Sequence, residues 1–257
     1  MTRKHKPDLL SPEKMDELSR DKFVRPLPKR FYKQVSVAGE GPEFGIALDG
    51  RAVKTPLKAT LAIPGRELAN AIAAEWEAQT EFINAALMPL TKLVNTTIDR
   101  VSPERARIIA EITSFADADL ICYRAESPAA LMELQSRHWD PVLEWAAETL
   151  KTPFLTTTAI LHKAQPPQAM AALAAKLDTF TSHQLCAIHN LSTLTGSALL
   201  GAAMGAGAIT PEAAWTAAHV DEDWQISHWG EDHEAVARRA GRQREFHATA
   251  NYLRMVS

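Results

Sequence analysis

The sequence predicts an α+β fold in which an N-terminal antiparallel β-meander with helices is followed by an all-α C-terminal helical domain. Apolar residues alternate with period two after Tyr32, and an Asp49-Gly50 dipeptide separates two such runs. From Leu68 onward, apolar residues recur with the helical period to the end of the chain. The predicted organisation is a flexible N-terminal arm at 1–29, an α+β domain at 30–120 and an all-α domain at 121–257.

The predicted strands are short and are joined by turn signals. Apolar and polar side chains alternate over 35–37 and again over 44–48. The glycines and proline at 39–42 predict a loop between these strands. Asp49-Gly50 predicts a tight hairpin turn, because both residues tolerate positive φ. Further strands are predicted over 51–54 and 60–63.

The first helices are predicted from apolar stripes at helical spacing. One stripe spans 68–83 and includes Trp76, so we expect this tryptophan to pack in the N-terminal core. A second helix is predicted from about 103 to 120 with Phe115 turned inward. A third follows, and Pro141 is expected to break or kink it, because proline cannot donate the helical hydrogen bond.

The C-terminal part reads as helical almost throughout. Ser197, Gly201 and Gly205 recur every four residues in this region, and such small side chains allow helices to pack closely. The C-terminal helices are predicted over 166–180, 182–204, 211–227 and 231–254.

Charge is distributed unevenly, although the formal net charge is only −3. Residues 1–33 carry ten Lys and Arg against five Asp and Glu, whereas 177–237 carry eight acidic residues and no Lys or Arg. An acidic surface repels nucleic acid and attracts basic partners. We therefore expect a protein partner with a basic surface and no nucleic acid.

The same sequence bounds the cellular context. Cys122 and Cys186 are the only two cysteines, too few for a disulfide framework, which fits a reducing compartment. The N-terminus is charged in both signs and has no apolar export segment. The uncharged run at 179–211 holds polar side chains that would be unsatisfied in lipid. We therefore expect a cytoplasmic protein without membrane insertion.

Signatures of catalysis are weak. There is no phosphate-binding loop, and Ser197 lies outside any nucleophile elbow. The sharpest enzyme alternative is a metal-dependent hydrolase that uses the acidic cluster from His219 to His233, where His219 and Asp223 share a helix face and His228 follows. This cluster has no recognised ligand spacing. A second alternative is a nucleic-acid-binding module that uses the basic arm at 1–33. Because no catalytic set converges, we expect a binding protein without a metal site.

Tryptophans alternate with acidic residues near the C-terminus. Trp215, Trp224 and Trp229 lie within fifteen residues of one another. We expect Trp215 to pack in the core, whereas an exposed aromatic side chain beside charge is typical of a partner surface. The candidate partner-binding residues are Asp221, Glu222, Trp224, Gln225, Trp229, Glu231 and Asp232.

Several stretches in fixed order resemble the assembly chaperones of the catalytic head of the F-type ATP synthase, the family that holds the α subunit. The resemblance covers nearly everything from Arg30 to the C-terminal helix, and its ordered set is more specific than any single motif. The stretches are RFYK (30–33), LDGRAVKTP (48–56), AEWEAQ (74–79), MPLTKLVNTTID (88–99), DLICYRA (119–125), Gln135, WDPVLEW (139–145), DEDWQ (221–225) and WGEDHEA (229–235).

The resemblance implies a bacterial member with an α+β N-terminal domain, a helical C-terminal domain, no enzymatic activity and no cofactor. It implies binding to the unassembled α subunit until the β subunit replaces the chaperone. It marks Glu222 of the D-E-x-x-Q motif, with Asp221 beside it, as the position most closely linked to function. We expect Glu222 to pair with a basic residue of the α subunit, or alternatively to brace a helix of its own domain. We also expect the free protein to be monomeric.

Overall fold

A small antiparallel sheet begins the structure. A computed structural model describes residues 26–159 and 161–257. Strand β2 lies at the centre of the sheet and pairs with each of the other three. The turn at Asp49-Gly50 joins β2 to β3 with φ values of 48° and 76°, as the hairpin prediction requires. The strands are β1 Val35–Ala38, β2 Glu43–Leu48, β3 Arg51–Ala52 and β4 Ile63–Pro64.

Helices account for most of the remaining chain, so the predicted α+β class with a helical C-terminal part is confirmed. A π-helical turn, Thr97–Val101, extends α2, and short 3₁₀ turns occupy Ala85–Leu87 and Leu120–Cys122. The α-helices are α1 Arg66–Glu77, α2 Pro89–Thr96, α3 Arg105–Ala116, α4 Ala129–Leu150, α5 Pro167–Leu177, α6 Ser182–Thr195, α7 Ala198–Gly205, α8 Pro211–Ala218, α9 Val220–Trp229 and α10 His233–Val256.

The helix predicted over 182–204 is two helices. α6 ends at Gly196, which adopts φ of 70°, and the side chain of Ser197 then accepts the N–H of Leu200 to begin α7. α7 packs closely on α6, because a Cβ at Gly201 would lie 2.5 Å from Ser192 Oγ. The expected close packing of the small residues is therefore found, but within a helical hairpin.

Three other helical expectations need correction. The run predicted as one helix over 211–227 is two helices, α8 and α9, which meet at His219. α4 continues through Pro141, so of the expected break or kink the break is excluded. The ring of Phe115, predicted to face inward, is 37% exposed at the C-terminal end of α3. Trp76 is half-buried and packs against the core, with its ring 5.8 Å from that of Tyr32.

Hydrogen bonds join the N-terminal motif stretches to one another. The guanidinium of Arg30 donates to the carbonyls of Glu77 and Gln79 and lies over the ring of Tyr32. The carboxylate of Glu75 accepts the N–H groups of Leu90 and Thr91 at 2.7 and 2.8 Å and so caps α2. These contacts give Arg30 and Glu75, the charged residues of two of the motif stretches, structural roles within the fold.

One cluster of buried apolar side chains extends from Tyr32 to Leu253. α10 packs on α6 and on α2, so the C-terminal helix contacts the N-terminal half directly. The division at 120 stays a prediction, as does the arm, of which residues 1–25 lie outside the described residues. The described end of the arm is attached, because Pro28 accepts the N–H of Ile83. No helix in the described part of the chain is both long and apolar enough to span a bilayer.

Candidate functional site

A groove between α9 and α10 contains most of the residues predicted to bind a partner. Its volume is about 610 Å³. α9 forms one wall, the turn at 229–232 closes one end and the first turns of α10 form the other wall. The predicted residues that line the groove are Glu222, Gln225, Trp229, Glu231 and Asp232. The other two, Asp221 and Trp224, belong to contacts outside the groove lining.

Asp221 connects α9 to α4. Its carboxylate accepts a hydrogen bond of 2.7 Å from Gln135 Nε2, and Gln135 Oε1 accepts the N–H of Ala125 at 2.9 Å. Gln135 is buried, so its amide makes both bonds inside the protein. Asp221 therefore has an internal partner that positions the start of α9.

Asp223 and Glu222 differ sharply in their neighbours, although they are adjacent in the first turn of α9. Asp223 forms an ion pair of 2.5 Å with Arg239 of α10. The nearest basic side chain to the Glu222 carboxylate is His219, whose Nε2 lies 3.8 Å from Oε2. Of the three acidic residues in this turn, Glu222 alone lacks a hydrogen-bonded internal partner in the described structure.

His219 approaches Glu222 as a neutral side chain. It is 1% exposed, and burial is the largest cause that lowers the pKa of its imidazole. Its Nδ1 lies 2.8 Å from the carbonyl oxygen of Trp215, which can only accept, so we assign the ring proton to Nδ1. Nε2 then carries a lone pair and makes no hydrogen bond. The Glu222 carboxylate thus remains without a compensating cation from this side.

The three tryptophans have different environments. Trp215 is buried against Phe246, which confirms the core interpretation. Trp224 is half-buried and stacks on His228 with ring centroids 4.1 Å apart. Trp229 is 78% exposed at the end of α9, at the edge of the groove. A large aromatic ring exposed to this extent is suited to anchoring a partner.

The groove carries a negative charge that the protein does not neutralise. Asp232 accepts the N–H of Glu234 and begins α10, which is a local structural task, while Glu231 is exposed. Within the described residues, no Lys or Arg lies within 4.0 Å of the Glu222, Glu231 or Asp232 carboxylates. Arg239 is the one basic side chain in the lining, and Asp223 pairs with it. The groove therefore offers solvated carboxylates beside apolar surface.

Sequence reasoning missed the wall that α10 contributes. Val236, Arg239, Ala240 and Gln243 line it, and their spacing of i, i+3, i+4 and i+7 places them on one helix face. That spacing was readable in the sequence. The contact of this face with α9 could not be read from the sequence, because nothing in the sequence indicates that Arg239 pairs with Asp223.

The geometry does not support the metal-hydrolase alternative. The described side chains include no group of three His, Cys, Asp or Glu residues placed to hold one ion. His219 faces Trp215, and His228 stacks on Trp224, so the two imidazoles serve different contacts. The side chain of His233 lies outside the described set. Most of the basic arm of the nucleic-acid alternative lies outside it as well.

Comparisons with known proteins identify the family. The family model for the ATP12 chaperone protein matches residues 29–147. The chain is 26% identical to mitochondrial protein atp12 of Schizosaccharomyces pombe over 226 residues, which are 81% of this chain and 77% of that protein.

Solved structures agree over nearly the whole length. Atp12 from Paracoccus denitrificans superposes with a TM-score of 0.82 at 34% identity, covering 90% of this chain and 99% of that one. The Atu1473 protein of Agrobacterium tumefaciens superposes with a TM-score of 0.84 at 41% identity, covering 97% and 93%. The chain therefore belongs to the ATP12 family of ATP synthase assembly chaperones.

Proposed function

We propose that this chaperone binds the unassembled α subunit of the F-type ATP synthase catalytic head through the groove between α9 and α10. The α subunit without its β neighbours exposes surface that is buried in the assembled head, and exposed apolar surface promotes aggregation. The chaperone covers part of this surface and releases the α subunit when the β subunit competes for it. It catalyses no reaction, works in the cytoplasm and is monomeric when no client is bound.

The observation that carries the proposal is the contrast between three adjacent acidic residues. Asp221 and Asp223 each have an internal partner at hydrogen-bonding distance, whereas Glu222 has a buried neutral imidazole at 3.8 Å. The exposed indole of Trp229 lines the same groove, about two helical turns further along α9. A carboxylate and an aromatic ring that share one concave surface fit an Arg or Lys side chain flanked by apolar groups.

The test removes one negative charge at each of two neighbouring positions, in two separate variants. Glu222→Gln removes the charge from the groove and keeps the size of the side chain. Asp221→Asn removes the same charge one residue away and keeps an oxygen that can accept from Gln135, so it is a matched control. Affinity for the purified α subunit is measured by titration over a salt series, and the melting temperature of each variant is recorded.

We expect Glu222→Gln to weaken binding by about 10- to 150-fold, because hydrogen bonds to charged groups contribute about 1.5–3 kcal/mol. The salt dependence of binding should also decrease. Asp221→Asn should bind within about twofold of the parent, since its carboxylate faces α4. Equal binding by Glu222→Gln and the parent at every salt concentration would contradict the proposed pairing. A melting temperature lowered only in Glu222→Gln would favour the helix-bracing alternative.

A further inference from the structure

A second concave surface lies on the opposite side of α10. This cleft has a volume of about 690 Å³ and lies between α2 with its π-helical turn on one side and α6 with α10 on the other. The α10 residues that line it are Gly241, Arg244, Glu245 and Thr249. At about 100° per residue, these four point roughly opposite to the α10 residues that line the acidic groove.

The cleft has an apolar floor and an exposed apolar rim. Leu93, Val101, Ile108 and Cys186 are buried in its floor. The rim is the 3₁₀ turn Ala85–Leu87, in which no residue is buried and Leu87 is 66% exposed. The described part of the chain buries most of its large apolar side chains. An exposed apolar rim beside an apolar floor is therefore typical of an interaction surface.

The charged side chains around this cleft are mainly basic. Lys92, Arg100 and Arg244 line it, and Glu245 is the one carboxylate among the lining residues. Glu245 lies 3.7 Å from Lys92, and Arg100 pairs at 2.8 Å with Glu111, which does not line the cleft. Arg244 has no carboxylate within 4.0 Å in the described part of the chain. The cleft thus has the opposite charge preference to the acidic groove.

The stretch MPLTKLVNTTID supplies one wall of the cleft, and its inward side chains already have structural tasks. Thr91 donates to the carboxylate of Glu75, and the hydroxyl of Thr97 lies 3.1 Å from that of Tyr252. Lys92, on the other face of the same helix, is exposed and has only the long contact with Glu245. The internal packing of the fold therefore leaves the outer face of this stretch without a partner.

We propose that this cleft is a second docking surface for the client, and that it takes a client segment with carboxylates beside apolar side chains. The inference rests on the proposed function, because the occupant is another part of the same α subunit. Carboxylates of the segment pair with Arg244 and Lys92, and its apolar side chains cover Leu87 and the floor. A client bound on both sides of α10 would contact two surfaces of opposite charge, separated by on the order of 15 Å, given a helix diameter of about 10–12 Å.

Site-directed photo-crosslinking distinguishes the two surfaces. Leu87→Cys and, in the acidic groove, Gln243→Cys are prepared separately and labelled with a benzophenone maleimide; Gln243 lines the groove and is exposed, and its replacement leaves Glu222 and Trp229 in place. The native thiols are poor competitors, because both are buried and burial raises the pKa of Cys122 to about 12 and that of Cys186 to about 11. Each labelled full-length chain is irradiated with purified α subunit, and the linked peptides are sequenced.

We expect both positions to crosslink, with the adducts of position 87 in a segment rich in Asp, Glu and apolar residues. Crosslinking from position 243 without any from position 87 would overturn the second surface and leave the proposed function intact. Adducts of position 87 in a basic segment would overturn it as well. Absence of adducts from both positions would overturn the proposed function together with this inference.

Charge reversal supplies an independent measurement. The double variant Lys92→Glu with Arg244→Glu should bind the α subunit at least about tenfold more weakly, because like charges would face the carboxylates of the segment. The double variant Arg137→Glu with Lys163→Glu makes a matched control, since it changes the net charge equally and both side chains are exposed and outside the lining of both surfaces. Unchanged binding by the double variant would contradict the proposal. A loss of binding to vesicles of phosphatidylglycerol, with α-subunit binding retained, would assign the cleft to a membrane surface instead.

Discussion

Asp119 is a buried carboxylate whose titration we expect to change the stability of the fold. It is 0% exposed, and it accepts the N–H of Ile121 at 3.3 Å and that of Leu199 at 3.0 Å. It therefore holds the 3₁₀ turn Leu120–Cys122 against the N-terminus of α7. Burial raises the pKa of Asp119 from 3.8 to about 6, although hydrogen bonds from Ser197 and nearby N–H groups oppose the increase.

The expected sign follows from proton linkage. The carboxyl group binds its proton more tightly in the folded state than in the unfolded state, so this group makes the folded protein more stable as the pH falls from about 6 to about 4. The difference between the two pKa values corresponds to about 3 kcal/mol, of which about 2–3 kcal/mol develops between pH 7 and pH 4.

Asp119→Asn isolates this contribution, because the amide has nearly the same shape and does not titrate. Urea unfolding of the parent and the variant at several values between about pH 4 and pH 7 gives the difference in their free energies of unfolding. Titration of the other carboxylates largely cancels in this difference. We expect the parent to gain about 2–3 kcal/mol relative to the variant as the pH falls. A difference that stays constant, or that moves in the other direction, would refute the reasoning.

Two further predictions concern packing. Trp76→Arg should lower the free energy of unfolding by several kcal/mol, because it places an unpaired charge against the core beside Tyr32; an unchanged melting temperature would show that the indole is dispensable. Gly201→Ala should cost roughly 1–3 kcal/mol, since its Cβ would lie 2.5 Å from Ser192 Oγ, whereas Gly241→Ala on α10, where the Cβ would meet only the end of the Arg244 side chain at 3.9 Å, should stabilise the fold by about 0.5–1 kcal/mol. Thermal unfolding of the two alanine variants side by side checks this, and a similar shift in both would contradict the close α6–α7 approach.

Local patterns predicted the sheet and most of the helices, because the information lies within a few residues. Alternation and the Asp49-Gly50 turn determine the β2–β3 hairpin without help from distant contacts. The division of 182–204 was also locally encoded, since Gly196 followed by Ser197 is a helix end followed by an N-cap. The apolar character of the run obscured it, because α7 is buried on nearly all sides and half of the residues of α6 are buried as well. Pro141 shows the opposite failure, in which tertiary packing sustains a helix through a residue that disfavours it.

The candidate site was predictable in composition and not in geometry. Acidic residues next to Trp229 indicated a partner surface, but the separate tasks of Asp221 and Glu222 depend on contacts with distant parts of the chain. The bond from Gln135 to Asp221 spans 86 positions, and no periodicity in the sequence reports it. The same applies to Asp223, whose partner Arg239 lies on another helix.

Several charged and polar residues in the stretches that resemble the family make hydrogen bonds within the protein. Arg30, Glu75, Gln135 and Asp221 each donate to or accept from another part of the fold. A recurring charged residue is therefore weak support for a role in binding until its internal partners have been counted. Glu222 remains after that count, because its nearest basic neighbour is a buried neutral imidazole.

The carboxylates of the acidic groove that lack internal partners also determine how the proposed client can be released. The Glu222 and Glu231 carboxylates are partly or fully solvated in the free protein, so each must lose water when a client binds. The loss of hydration offsets part of the Coulomb attraction, so such a pair contributes only about 1.5–3 kcal/mol to affinity, and it also sets the rate and orientation of association. The proposed interface, which combines these pairs with one exposed indole, would therefore be specific without being permanent. Competition by a subunit with a larger apolar contact would then be enough to displace the chaperone, because affinity within one set of complexes is controlled mainly by dissociation.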